Sequence, residues 1–312
     1  MSTRPTIFVN IAAYRDPETY PTIRDLFEKA ANPENIHVGL CWQYNSLTEE
    51  PFQLKDRKHQ VSVLNIDYKK SKGACWARHT TQKLYHDEQY FLQIDAHSRF
   101  VPDWDKLMIE ELARCPSNKP ILSSYPSHYT LPNTLVDHGP YKLLLNHFHS
   151  QVPVFHSRAC TEEERQAPSL SAIISGGFVF GPASAMLEVP YDPFIYFIGE
   201  EITMSARYWT HGYDIFTPSR TMMFHLYVVP ELTKAYHWLD HSRWHDNFEE
   251  PSRERVLQLL GYAPASHPVA LQQIDRYGMG NVRSLAEYER FAGVDFKAQT
   301  MTENGKSGIP QL

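Results

Sequence analysis

The sequence predicts an α/β protein in which a sheet of buried strands is wrapped by helices. Three observations carry this expectation. Over the first 125 residues short β-type runs alternate with helix-type segments. Those runs are apolar at successive positions, as strands covered on both faces must be. A chain of 312 residues, 42% hydrophobic and 21% charged, has enough material for one large domain or two small ones.

Each element follows from its local pattern. Ile7–Ala12 reads as the first strand and Tyr20–Ala31 as a helix, with Ile36–Trp42 and Val61–Asp67 as the second and third strands. Gly73–His86 is a helix after the Lys69-Lys70-Ser71-Lys72 turn, and Tyr90–Asp95 is a fourth strand that ends in polar residues. Asp103–Arg114 is the next helix and Ile121–Tyr125 a further strand. From Pro126 to Pro168 the patterning fades into scattered Pro and His with a Glu162-Glu163-Glu164 cluster. That stretch reads as a long irregular segment with room for one short strand, a length that usually serves function. Order returns with Ser171–Gly181, a strand interrupted by Gly176-Gly177, then a helix over Glu200–His211 and a strand over Asp214–Thr217. Val256–Leu260 and Leu285–Phe291 read as helices, and the tail from Lys297 lacks periodicity and is expected to fray.

Composition removes several functions. Thirty Lys and Arg against 36 Asp and Glu leave a net charge of −6, with no run of five like charges, so nucleic acid is excluded as an expected partner. Apolar runs such as Ile7–Val9 fall far short of the roughly 20 residues of a membrane span, and Met1–Pro5 opens no signal peptide. The expectation is a protein without a membrane anchor. Cys41, Cys75, Cys115 and Cys160 form no Cys-x-x-Cys pair, which suits reduced thiols in the cytoplasm.

Four local features could carry chemistry. In Gln93-Ile94-Asp95-Ala96-His97 an acid and an imidazole stand two apart where an apolar strand runs out. Side chains at i and i+2 can aim at one point there, and an O/N pair suits Mn²⁺ or a related divalent ion. The plain alternative is a loop-capping Asp beside a polar His. Gly176 and Gly177 interrupt a strand pattern, where missing side chains admit a ligand or merely a bulge. Glu200 and Glu201 open a helix, where carboxylates also favour the dipole. His225 lies between Phe224 and Leu226 and by itself reads as a core histidine. A further set, His237, His241 and His245, has i, i+4, i+8 spacing on one helix face. It spans about 12 Å, too far for one tetrahedral zinc. With Tyr236, Trp238 and Trp244 it reads instead as a helix face or an aromatic surface for an acceptor.

Taken in order, these features resemble the GT-A glycosyltransferases, which hold a metal on an Asp-x-Asp or Asp-x-His element. The chain is similar to the polypeptide GalNAc-transferases and, more closely, to the Glycosyltransferase (GlcNAc) family. That family includes cytoplasmic enzymes that add GlcNAc to hydroxyproline on a ubiquitin-ligase adaptor. The closer resemblance runs through Asn10–Pro17, Val38–Gln43, Gly73–Arg78, Asp95-Ala96-His97, the Gly-Gly and Gly-Glu-Glu segments, and Arg283-Ser284-Leu285 with Tyr288-Glu289 and Gly293–Phe296.

The resemblance implies a GT-A, Rossmann-like fold with a central mixed sheet flanked by helices. Residues 1–250 form the catalytic domain: a nucleotide-binding half over 1–125, the irregular insert over 126–170 and a sugar and acceptor half over 171–250. Residues 251–312 form a C-terminal helical extension and tail. It implies UDP-GlcNAc as donor, Mn²⁺ or another divalent cation as cofactor, and transfer with retention. Asp95, His97 and His225 match the family's metal positions. Arg78 matches a nucleotide-contacting arginine whose charge suits a diphosphate. Ala12, Tyr14, Arg15 and Gln43 stand at strand ends, where open α/β sheets bind ligands, and take the uridine. Gly176 and Gly177 line the donor. Glu200, Glu201 and Arg78 are the catalytic set, with Glu200 facing the sugar and Glu201 mainly serving the helix start, where the GalNAc-transferases have an amide. One departure is Val228: the GalNAc-transferases place a basic residue there, three positions after the metal histidine, and Lys234 or Arg243 would have to substitute. A protein, glycan or small-molecule hydroxyl is the acceptor, and a homodimer stays open. Other UDP-hexoses, or a silent nucleotide- or carbohydrate-binding protein, remain alternatives.

Overall fold

A computed structural model describes residues 5–227, 235–242 and 245–311, with 245–247 described by backbone alone. The elements run β1 (Ile7–Tyr14), α1 (Thr19–Glu28), β2 (Ile36–Tyr44), β3 (Val61–Asp67), α2 (Ala74–Gln82), β4 (Tyr90–Asp95), β5 (Ser98–Phe100), α3 (Trp104–Ala113) and β6 (Pro120–Ser123). There follow β7 (Ser127–Thr130), β8 (Thr134–Val136), β9 (Tyr141–His149), β10 (Val152–Ala159), β11 (Ser169–Ser171), β12 (Phe178–Pro182), α4 (Ala183–Glu188), α5 (Glu200–Thr210), β13 (Asp214–Thr217) and β14 (Met223–His225). The chain closes with α6 (His237–Asp240), α7 (His245–Leu259), α8 (Leu285–Ala292), β15 (Val294–Asp295), β16 (Thr300–Met301) and α9 (Glu303–Ser307).

Eight strands form the main sheet in the order β11-β13-β6-β12-β4-β1-β2-β3. β1 runs parallel to β2 and β4, while β12 runs antiparallel to β4, so the sheet is mixed. Alternation along a strand sends successive side chains to opposite faces. Ile7, Val9 and Ile11 of β1 pack with α1 and α3 through Ile23, Leu26, Trp104 and Met108. Phe8, between them, joins the other core with Ile202 of α5, Met186 of α4, Val256 of α7 and Phe291 of α8. Helices on both faces are why the strands read as unbroken apolar runs.

Three expectations need correction. The 126–170 segment is not irregular: β7 and β8 join β5 and β14 in a four-stranded sheet, and β9 and β10 pair as a hairpin with a bulge at Val154/Phe155. Its strands are partly exposed, so their apolar stretches, Leu143–Leu145 and Val152–Phe155, are short and bordered by polar residues and do not announce buried strands. Ser171–Gly181 is not one interrupted strand, because β11 and β12 lie at separate places in the sheet. The tail does not fray: α9 is capped by Thr302 and packs on β9, Gly308 approaching so closely that a Cβ would lie 2.5 Å from the Leu143 carbonyl. Among the described residues no helix is long and apolar enough to cross a membrane, and the four cysteines are free and buried.

Candidate functional site

The register of the sheets assembles the site. Ala12 at the end of β1 is paired with Asp95 at the end of β4, which places both at the carboxyl edge of the parallel strands. Three residues later the chain enters β5, and antiparallel pairing sets His225 of β14 opposite Ser98. The Leu226 amide donates to the His97 carbonyl at 3.0 Å, which ties the two segments further. Ligand atoms of Asp95, His97 and His225 consequently lie within 4.8 Å of one another. His225 Nε2 is 3.1 Å from Asp95 Oδ2, and the two imidazole rings are 4.6 Å apart.

Neighbouring charges orient these groups. His97 Nδ1 lies 2.7 Å from Asp16 Oδ2; a carboxylate only accepts, so Nδ1 carries the proton and Nε2 presents its lone pair. Asp16 is held in turn by the Glu18 amide at 2.9 Å. Burial works to raise the Asp95 carboxyl, but the bond from His225 and the charges of Arg78, His225 and His97 outweigh it and hold the group well below the usual carboxylate range. The trio therefore offers one ionised oxygen and two imidazole nitrogens, a donor set that fits Mn²⁺ or a related divalent ion.

Arg78 joins this trio to a second carboxylate. Its Nη2 donates to Asp95 Oδ1 at 2.7 Å and its Nη1 to Glu200 Oε1, and its side chain is 7% exposed. Glu200 also accepts from the Tyr191 hydroxyl at 2.9 Å, and the Cys75 thiol lies 3.4 Å from it. Each terminal nitrogen of Arg78 thus gives one of its two N–H groups to a carboxylate within the protein, and the side chain also reaches the cavity wall. The glycine pair has a steric reason here. A Cβ at Gly176 would lie 2.6 Å from Glu200 Oε1 and 2.8 Å from Arg78 Nη1, and one at Gly177 would lie 2.9 Å from Asp95 Oδ2.

The division of labour expected for the two glutamates changes. Glu200 is buried behind Arg78, pairs with its guanidinium and does not line the cavity. Glu201 does more than serve the helix start: its Oε1 accepts from the Gly176 amide at 2.8 Å and its Oε2 from the Tyr125 hydroxyl at 3.4 Å. Burial, aided by the Glu200 charge and opposed by the Gly176 bond, pushes its carboxyl up to about 7.

A cavity of about 370 Å³ opens over the trio. Ala12, Tyr14, Gln43 and Arg78 lie on its wall with Asp95, His97 and His225; Arg15, Gly176 and Gly177 do not. Arg15 instead pairs with Glu49 at 3.0 Å and Asp240 at 2.9 Å. Tyr14 donates to the same Asp240 carboxylate at 2.9 Å, which fastens α6 across the strand ends. Tyr236, His237 and Trp238 complete the wall from that side.

The three-histidine helix face does not form as its spacing suggests. α6 stops at Asp240; His237 and His241 stack at 4.1 Å, His237 Nδ1 lies 2.6 Å from the Tyr196 hydroxyl, and His241 Nε2 donates to the Tyr68 carbonyl at 3.0 Å. The His245 side chain, Val228, Lys234 and Arg243 lie outside the described residues. Sequence reasoning assigned no role to Asp16, Tyr191 or Asp240. Asp16 stood inside a quoted motif, but its partner is 81 residues away.

The profile of the Glycosyltransferase (GlcNAc) family matches residues 6–57 and 52–298. No curated protein sequence is significantly similar. Among solved structures, the chain is similar to GalNAc-T7, crystallised with UDP, GalNAc and Mn²⁺, at 13% identity and a TM-score of 0.61. The similarity covers 93% of this chain and 56% of that one, so the chain spans little more than half its length. The mixed sheet flanked by helices is the GT-A fold.

Proposed function

The chain belongs to the Glycosyltransferase (GlcNAc) family, and on that premise we propose that it transfers GlcNAc from UDP-GlcNAc to a hydroxyl acceptor, with a divalent cation and with retention. One observation carries the reading: three ligand atoms from two separate strand ends lie within 4.8 Å of one another, beneath a cavity of about 370 Å³. A merely structural cluster has no need to open on such a space.

In this reading Asp95, His97 and His225 hold Mn²⁺, which when bound supplies Lewis-acid neutralisation of the diphosphate. Asp16 fixes the His97 tautomer that leaves Nε2 for the ion, in the manner of outer carboxylates at metal sites. Arg78 keeps Asp95 ionised and aimed, and Glu200 keeps Arg78 in place. Ala12, Tyr14 and Gln43 receive the uridine at the strand ends, with Arg15 bracing that wall through Asp240. Gly176 and Gly177 let the backbone pass close to the charged cluster. Glu201 titrates near neutrality and its charge reaches Tyr227 on the cavity wall, which suits a carboxyl that handles a proton on the acceptor side. Four buried thiols suit a reducing compartment, and we assign the activity to the cytoplasm.

The test is UDP release from UDP-GlcNAc, UDP-GalNAc, UDP-glucose and UDP-galactose, each with Mn²⁺ and with chelator, together with NMR of the released sugar. We expect UDP-GlcNAc to turn over fastest, only with metal, and with its α configuration kept. Release that ignores the metal, or a preference for another epimer, overturns the corresponding part.

A further inference from the structure

A second cleft, about 430 Å³ in volume, lies beside the donor cavity and shares Tyr196 with it. One wall is the outer face of α2. Trp76, His79 and Lys83 stand at i, i+3 and i+7 and so on one side of the helix, with Lys72 a turn earlier. Phe194 and Phe248 face them from the opposite wall.

The cleft is cationic although the chain carries a net charge of −6. The Lys72 and Lys83 ammonium groups are exposed and have no carboxylate partner among the described residues, and no Asp or Glu lines the cleft. His79 Nδ1 donates to the Tyr191 carbonyl at 3.0 Å, which turns Nε2 away from that bond. Burial and the charges of Lys83 and Arg276 hold this imidazole below its ordinary value, so the positive field comes from the lysines. The indole N–H of Trp76 is without a partner among the described residues. Unpaired cations flanking an aromatic floor call for a ligand with acidic and apolar groups in alternation.

We propose that this cleft binds an acidic, partly apolar polypeptide segment of the acceptor and delivers its hydroxyl past Tyr196 to the donor cavity. The inference rests on the glycosyltransferase reading for its purpose, though not for the binding itself. Lys83 lies roughly 10 Å beyond Trp76 at about 1.5 Å per helical residue. Same-face side chains of an extended chain stand roughly 7 Å apart, and the flexible lysine stem spans the difference, so one apolar side chain can meet the indole while an acidic one two residues on meets the ammonium.

The test uses fluorescein-labelled random heptapeptide pools, one of Asp, Glu and apolar residues, one with Ser and Gly replacing the acids, and one with Lys and Arg replacing them. Anisotropy is measured on the full chain without donor or metal. We expect the acidic pool to bind at least about tenfold tighter than the neutral one, with the advantage shrinking as salt rises. Lys72→Glu with Lys83→Glu should erase the difference while Mn²⁺-dependent UDP-GlcNAc hydrolysis stays at its wild-type rate. Equal binding of all pools, or an acidic preference that survives the charge reversal, overturns the proposal. Tighter binding of an oligouronate than of the acidic peptides overturns the polypeptide assignment. Absence of hydrolysis in the wild type would sink the donor reading alone, because the peptide titration stands without it.

Discussion

The Asp16–His97–Asp95–Arg78–Glu200 network stands on strand ends and on a buried helix face, whereas the Tyr14–Arg15–Asp240 and Tyr196–His237 contacts hang on the four-residue helix α6. Both border the cavity over Asp95, His97 and His225, and both contain histidines at helix- or strand-like spacing. In the first, the Arg78 and Glu200 side chains are 7% and 5% exposed and every imidazole has a carboxylate beside it. In the second, the Arg15 and Asp240 side chains are 24% and 26% exposed, and the histidines bond a phenol and a carbonyl. Spacing alone does not make a histidine a ligand. A rigid backbone and an adjacent carboxylate, which fix the ring and its tautomer, are what fit it for the task.

The contrast can be broken at its strongest point first. Arg78→Ala leaves Glu200 buried without its cation, which should cost about 3–5 kcal/mol of stability in urea unfolding. Pairing it with Glu200→Leu should recover much of that loss. A single variant as stable as wild type would show that the network is not over-determined. Asp16→Asn keeps an acceptor for His97 but removes the charge behind it, so Mn²⁺ affinity in a titration should fall about 10- to 100-fold with folding retained. His241→Ala in the same titration should leave affinity unchanged, and a matching loss there would erase the distinction between the networks.

Glu201 gives a pH signature confined to the buried side. Its folded-state carboxyl titrates at about 7 against an ordinary 4.5, so the native state holds the proton more tightly than the unfolded chain. The stability this confers is complete below pH 4.5 and is lost as pH rises through 7. Between pH 5 and 8 the wild type should lose about 1–2 kcal/mol relative to Glu201→Gln, after allowance for partial exposure. Parallel pH profiles of the two proteins would sink this assignment. The smallest effect is expected at the other network: Asp240→Asn should change KM for the donor less than about fivefold, because a half-exposed ion pair contributes at most about 1 kcal/mol.

Legibility followed burial. β1, β2 and β4 announced themselves because both of their faces are covered, and the edge strand β3 through its β-branched Val61, Val63 and Ile66, whereas β7 to β10 show partly exposed faces and only short apolar stretches. The α9 tail is ordered by contacts with β9, from a segment more than 150 residues earlier, and nothing local encodes that.

What the sequence by itself determined is the ladder of buried strands and the place where β4 ends in Asp95, with His97 two residues on, since hydrophobic periodicity and strand-end polarity are local properties. Only the tertiary structure decided that His225, 130 residues from Asp95, lies against it, that Asp16 stands behind His97, and that Glu200 faces Arg78 while its neighbour Glu201 reaches Gly176. These depend on the pairing of β14 with β5 and on the rotation of about 100° between successive helical residues. Long-range register and side-chain direction are settled when the whole core packs, because no short stretch of chain contains both partners of such a contact.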